Sequence, residues 1–178
     1  MKTRTKLNLG CGTDIRDGYV NLDCAKIEGV DVIHSLENFP YPFEDNLFEE
    51  IIAINILEHI DDTIKTMEEI WRISQNNAKV IIRVPYWNSI DGITDPTHKK
   101  LFNQHSFEFF DPTKERCKKR PYYTVARFKI SNEYYYIKFF KYFKVGNPLI
   151  KIIINYMSYL FGNVIRVLEY EMLAVKES

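Results

Sequence analysis

Cysteine is scarce in this chain: three residues among 178, Cys11, Cys24 and Cys117. They are too few and too irregularly spaced for a disulfide framework or a zinc site, which points to a reduced, cytoplasmic setting. Long apolar runs are missing as well. The longest, 148–161, is broken by Lys151 and falls short of the ~20 residues a membrane-spanning helix needs. No transmembrane segment is therefore expected. The basic start at 1–6 has no apolar stretch behind it, which argues against a secretory leader. Net charge is absent too, with 24 Lys and Arg against 24 Asp and Glu, so nucleic acid is not the expected partner.

What the chain has in quantity is aromatic residues: twelve Tyr, twelve Phe and two Trp. Its length suits a single domain spanning 1–178, able to bury most of its apolar surface. Charge is uneven along it. Residues 1–89 hold nine basic and fifteen acidic side chains, and residues 90–178 hold fifteen and nine. Such asymmetry can mark an anionic partner, but more often reflects how two halves of a fold share a surface.

The first half alternates strand-like and helix-like segments, the pattern of an α/β sheet. Residues 6–10 (KLNLG), 19–23 (YVNLD), 30–34 (VDVIH), 50–55 (EIIAIN) and 79–84 (KVIIRV) read as strands. A helix is expected between the last two. Asp61 or Asp62 can cap it, Ile60, Ile64, Met67 and Trp71 form its apolar face, and Asn76 and Asn77 can stop it in left-handed geometry. Beyond Pro85 the rhythm loosens into a long excursion with a short helix near 106–110. A strand pair is expected at 122–130 and 134–140, an apolar helix at 148–161 and a last strand at 164–175. That apolar helix is expected to cover the sheet as core, with dimer contact or a membrane surface as alternatives.

The informative element is Gly10, Cys11, Gly12 at the end of the first strand, where backbone without Cβ can approach a ligand. Asp23 closes the second strand, where a carboxylate can accept from both hydroxyls of a ribose. The dinucleotide fingerprint needs a third glycine where Ile15 stands, and an acid about twenty residues on. Asp23 follows Gly12 too soon for a full helix between the strands, so the usual pyrophosphate-holding helix start is missing. A nucleoside ligand without phosphates, such as S-adenosylmethionine, fits better.

Taken together, LNLGCG (7–12), GYVNLD (18–23), DVIHSL (31–36), YPFEDNLFEEIIAINILEHI (41–60) and KVIIRVP (79–85) resemble a class I S-adenosylmethionine-dependent methyltransferase of the type 11 methyltransferase-domain group. The resemblance implies a Rossmann-like α/β fold. It would have a mostly parallel seven-stranded sheet flanked by helices, a shortened first helix and a variable C-terminal half. Residues 1–85 would form the cofactor half and 86–178 the acceptor-side lid and final strands. It further implies a methyltransferase that binds S-adenosylmethionine and releases S-adenosylhomocysteine, acting on a small-molecule, sugar or lipid-intermediate acceptor. Gly10, Cys11 and Gly12 would line the methionine and ribose, Asp23 would hold the ribose, and Ser35 and Leu36 would sit beside the adenine. Asn55, Ile56 and Leu57 would pass under the cofactor near its sulfonium, with Glu58 and His59 beyond. Asn8 is also expected among the cofactor-binding residues, although it departs from the pattern, standing where an acid often assists the cofactor's amino group.

The candidate catalytic residues lie in DPTHK (95–99), where His98, supported by Asp95, could take the acceptor's proton. The reading of Asp-Pro-Thr as a plain turn stays open. His34 is expected to make a packing hydrogen bond. His98 and His105 with Asp91 and Asp95 follow no recognised metal-ligand spacing, and no metal is expected. The basic cluster 114–120 and the Tyr- and Lys-rich run 134–143 leave an RNA or DNA methyltransferase as an alternative. A non-catalytic, methyltransferase-like binding subunit is another, and a homodimer is compatible with either.

Overall fold

A computed structural model describes residues 4–138 and 142–176. Eight strands form one sheet in the order β3-β2-β1-β4-β5-β8-β6-β7. They are β1 (Lys6–Leu9), β2 (Val20–Asp23), β3 (Val32–Ile33), β4 (Phe48–Ile54), β5 (Ser74–Pro85), β6 (Phe128–Lys138), β7 (Tyr142–Val145) and β8 (Ile165–Ala174). The first five run parallel, and β8 lies antiparallel between β5 and β6. Leu7, Leu9, Ile51, Ala53, Val80 and Ile82 are fully buried at its centre. Strands covered on both faces need this apolar character. The expected seven strands become eight because β7 folds back on β6 as a hairpin.

The chain reaches β2 from β1 through a loop without a helix. Between β4 and β5 runs helix α1 (Thr63–Ile73), capped by Asp62, whose Oδ1 accepts from the Lys65 amide at 2.9 Å. Its buried face is Thr66, Met67, Ile70 and Ile73, while Ile64 is exposed and Trp71 half-buried. The expected face was thus rotated. The helix ends at Ile73, and the Ser74 hydroxyl donates to the Ile70 carbonyl at 2.7 Å. Asn77 does take a left-handed φ of 62°, but inside β5. The register against β4 shifts there between Phe48 and Glu50.

After β5 come α2 (Ile90–Ile93), a 3-10 turn at Ser106–Phe110, α3 (Glu115–Lys119) and a second turn at Pro121–Tyr123. The expected strand pair is corrected. Residues 122–127 are turn and loop, and β6 is one long strand against β8, with β7 as its hairpin partner. Residues 139 and 140 of the expected second strand lie outside the described residues.

Helix α4 (Pro148–Leu160) forms where expected, capped by Asn147, but it is not core. Only Ile154 and Ser158 are buried; Leu149, Ile153, Tyr156 and Leu160 are 61–77% exposed. The reason is competition for the sheet. Phe102, Phe107 and Phe110 of the excursion pack against Tyr170 and Phe128 and take the face that α4 would need. The outer face of α4 is thus left as an exposed apolar stripe. It contributes little to folding of the single chain. Ile153→Ser should change stability by less than ~0.5 kcal/mol, whereas Ile154→Ala should cost about 2–3 kcal/mol. Urea unfolding of both variants measures the contrast, and equal losses would place Ile153 inside the core. Among the described residues no helix is long and apolar enough to cross a membrane.

Candidate functional site

The carboxyl ends of β1, β2, β4 and β5 meet at one edge of the sheet, where ligands bind in open α/β folds. The turn after β1 is held from three sides. The Cys11 amide donates to the Leu22 carbonyl at 2.9 Å, and the Gly12 amide to Asp23 Oδ2 at 2.8 Å. Asn8 Nδ2 donates to the Asp14 carbonyl at 2.6 Å and to Asn21 Oδ1 at 3.1 Å. Gly10 (φ 66°) and Gly12 (φ 49°) are both left-handed. A Cβ on Gly10 would stand 2.4 Å from Ile56, whereas nothing lies within 4 Å of the corresponding point on Gly12. The turn is therefore packed below and open above, a cradle rather than a filled loop. Asp23 borders it with a half-buried carboxylate. Its oxygens accept from the amides of Gly12 and Ala25, at 2.8 and 2.9 Å, and retain lone pairs for a further donor.

A cavity of about 650 Å³ opens at the turn after β4, whose Ile56 packs under Gly10. Asn55, Glu58 and His59 line it from the turn after β4, Asp95 and His98 from the excursion, and Val167 from β8. Asn55 takes φ 52° there. The excursion is clamped over that turn, because the Lys99 and Lys100 amides both donate to the Glu58 carbonyl, at 2.7 and 3.1 Å. The Lys99 ammonium adds contacts to Asp61 at 2.6 Å and Glu37 at 3.2 Å.

Hydrogen bonds fix both cavity histidines. The Nδ1 of His98 lies 3.0 Å from the Gly92 carbonyl, which can only accept, so Nδ1 carries the proton. The Thr97 hydroxyl donates to Asp95 Oδ1 at 2.6 Å, so towards His59 Nδ1, at 2.9 Å, it is the acceptor. Each ring is thereby left with Nε2 as its basic nitrogen. The rings stand edge to face with centroids 4.8 Å apart. Glu58 is 1% exposed, with Oε1 4.0 Å from His98 Nε2 and Oε2 without a hydrogen bond. Burial pushes its carboxyl up to about 7, and nearby Asp95 adds to the rise while His98 opposes it.

The expected site residues divide. Gly10, Cys11, Gly12 and Asp23 come together at the cradle. Asn55, His59, Asp95 and His98 come together in the cavity. Asn8 is 2% exposed, and its amide braces the cradle turn. Leu36 and Leu57 are core residues, Ile56 packs under Gly10, and Ser35 accepts from the Glu37 amide at 3.3 Å. Asp95 accepts from both donors of Thr97, which hold its carboxyl below the usual range. It builds the turn that presents His98. His34 makes the packing bond expected of it, to the Asn38 carbonyl at 2.8 Å. His105 pairs with Glu108 at 3.1 Å and does not line the cavity. In the basic cluster, Arg116 and Lys118 pair with Glu108 and Glu115, and none of its residues lines the cavity. Glu58 was named only as lying beyond the cofactor turn. The signal that could have raised it is an acid between Leu57 and Ile60, both of which are buried.

With this strand order, reversing beside β1 and carrying antiparallel β8 between β5 and β6, the chain has the fold of class I S-adenosylmethionine-dependent methyltransferases. An S-adenosylmethionine-dependent methyltransferase of Archaeoglobus fulgidus superimposes with a TM-score of 0.59 at 18% identity, over 98% of this chain and 87% of that one. Phosphoethanolamine N-methyltransferase 2 of Haemonchus contortus, solved with S-adenosylmethionine, gives 0.55 at 16% identity, over 99% and 50%. The cyclase SpnF gives 0.56 at 10% identity, over 97% and 74%. In sequence, an uncharacterized protein of Methanocaldococcus jannaschii is 31% identical over 111 residues, 61% of this chain. The chain spans 43% of the length of that curated relative. No protein-family model matches the chain.

Proposed function

We propose that the protein binds S-adenosylmethionine in the cradle and methylates a small-molecule acceptor held in the adjoining cavity. The observation that carries this reading is the open cradle of Gly10, Cys11 and Gly12 bordered by the half-free Asp23 carboxylate. It fits a nucleoside ligand, with lone pairs for ribose hydroxyls and glycine backbone for close approach. S-adenosylmethionine would supply an already activated methyl group there, so the chain's task is chiefly alignment, worth ~7–11 kcal/mol in favourable cases. The Gly12 amide fixes the Asp23 carboxylate, and Asn55 leads the chain from β4 into the cavity. His98, oriented through Gly92, points its basic Nε2 at Glu58 and is the proposed acceptor of the substrate's proton. We assign the part of the chain after Pro85 to the acceptor side, since Asp91, Thr94, Asp95, Pro96, His98 and Val167 line the cavity. We place the reaction in the cytoplasm.

A second reading, a domain of this fold with another activity, is favoured by the cyclase among the matched structures. Cofactor binding is the first discriminator. Asp23→Ala should leave the fold intact and weaken S-adenosylmethionine binding by ~1–3 kcal/mol. Calorimetry giving equal affinity for both proteins would take Asp23 out of the site, and no binding by the wild type would end the methyltransferase reading.

A further inference from the structure

The cavity contains a cluster that methyl transfer alone does not require. Among the described residues, Glu58, His59 and His98 offer ligand-capable atoms that all lie within 4.8 Å of one another. Two further observations set the cluster apart from a chance approach. Both imidazoles are held from behind through Nδ1, by the Gly92 carbonyl and the Thr97 hydroxyl, which frees Nε2. Metal-ligating histidines are oriented in this way. Glu58 is buried, yet its Oε2 has no hydrogen-bond partner. An unsatisfied buried oxygen is unfavourable, and a cation bound beside it would remove the deficit.

We propose that Glu58, His59 and His98 bind one divalent transition-metal ion of the zinc and cobalt class at the floor of the acceptor cavity, leaving open coordination positions for an acceptor hydroxyl. Two imidazoles and one carboxylate favour such an ion over magnesium or calcium, which prefer all-oxygen shells. Ligand atoms around a tetrahedral ion at ~2.1 Å stand roughly 3.4 Å apart, so the cluster contracts on binding. An acceptor hydroxyl on the ion breaks its O–H bond more readily. The proton leaves to solvent and the electron pair stays on oxygen, as for metal-bound water. The inference rests on the methyl-transfer reading for the reaction served, and it changes that reading in two respects. The acceptor atom is oxygen, and His98 is a ligand in place of a base.

The experiment uses the full chain, stripped of metal and without S-adenosylmethionine. It is titrated with Zn²⁺ by calorimetry and with Co²⁺ by visible absorption. The expected result is one ion per chain, Co²⁺ bands typical of nitrogen and oxygen ligands, and no displacement by millimolar Mg²⁺. His98→Ala and Glu58→Gln should abolish the bands. Thr97→Val, which removes the hydroxyl shared by His59 and Asp95, should weaken Zn²⁺ binding by about 10–100-fold. Circular dichroism and S-adenosylmethionine affinity on the same variants show that each is folded. No binding by the wild type, or Co²⁺ bands that persist in His98→Ala, overturns the cation site. Cofactor binding without metal binding removes this inference and leaves methyl transfer standing; metal binding without cofactor binding does the reverse.

Discussion

Phe107→Ala is expected to cost about 3–5 kcal/mol of stability, the range for emptying a buried aromatic position. Phe107 is 1% exposed. Its ring lies parallel to Phe102 with centroids 5.5 Å apart, and its centroid is 4.9 Å from that of Tyr170 on β8. The neighbours cannot close the gap easily, because Tyr170 belongs to a strand paired on both sides. Against a total of ~5–15 kcal/mol for a typical domain the loss is large. At ~2–4 °C per kcal/mol it lowers the melting temperature by roughly 6–20 °C. The variant also separates the two halves of the site. Phe102 anchors the far end of the loop that carries His98, and its carbonyl accepts from the Trp87 amide at 2.8 Å. The cradle, in contrast, stands on β1 and β2. Below its new melting temperature the variant should still bind S-adenosylmethionine while its cavity loosens. Scanning calorimetry with and without cofactor reads both effects, and an unchanged melting temperature would mean that the excursion does not pack on β8.

The same contact shows why the sequence was legible in one half and not in the other. The central strands β1, β4 and β5 announce themselves because strands covered on both faces are rich in apolar residues, and Leu7, Leu9, Ile51 and Ile82 supply these locally. The cradle is legible for a similar reason, since left-handed turns and a terminal acid are local requirements. After Pro85, burial depends on which segment packs on the sheet. Phe107 and Ile153 are equally apolar in the sequence, yet one is buried and the other 61% exposed. Nothing in the spacing of residues 148–161 records that the face was already taken. Glu58 is the converse case. The amides of Lys99 and Lys100, distant in sequence, close over its carbonyl, and burial raises its pKa, so that shift is a tertiary property.

Gly12→Val is the sharpest test of the cradle, and Gly18→Val is its control. Both glycines are left-handed, with φ of 49° and 82°, and in both a Cβ would meet nothing within 4 Å. A side chain in that geometry costs roughly 1–2 kcal/mol at either position. The two variants should therefore lose similar stability, about 2–8 °C in melting temperature. They should differ in ligand binding. The space above Gly12 adjoins the Asp23 carboxylate, which the Gly12 amide contacts at 2.8 Å. A branched side chain placed there overlaps a ligand lying across the turn. Overpacking of this kind costs ~1–3 kcal/mol, and each 1.4 kcal/mol is tenfold in affinity, so binding should weaken by about 10–100-fold. Gly18 sits two residues before β2, and its substitution should leave affinity within about twofold, because strain alone affects the folded chain with and without ligand alike. Calorimetric titration of the two variants side by side isolates obstruction from strain. Wild-type affinity in Gly12→Val would move the ligand off Gly12, and equal losses in the two variants would trace the effect to the backbone instead of the cradle.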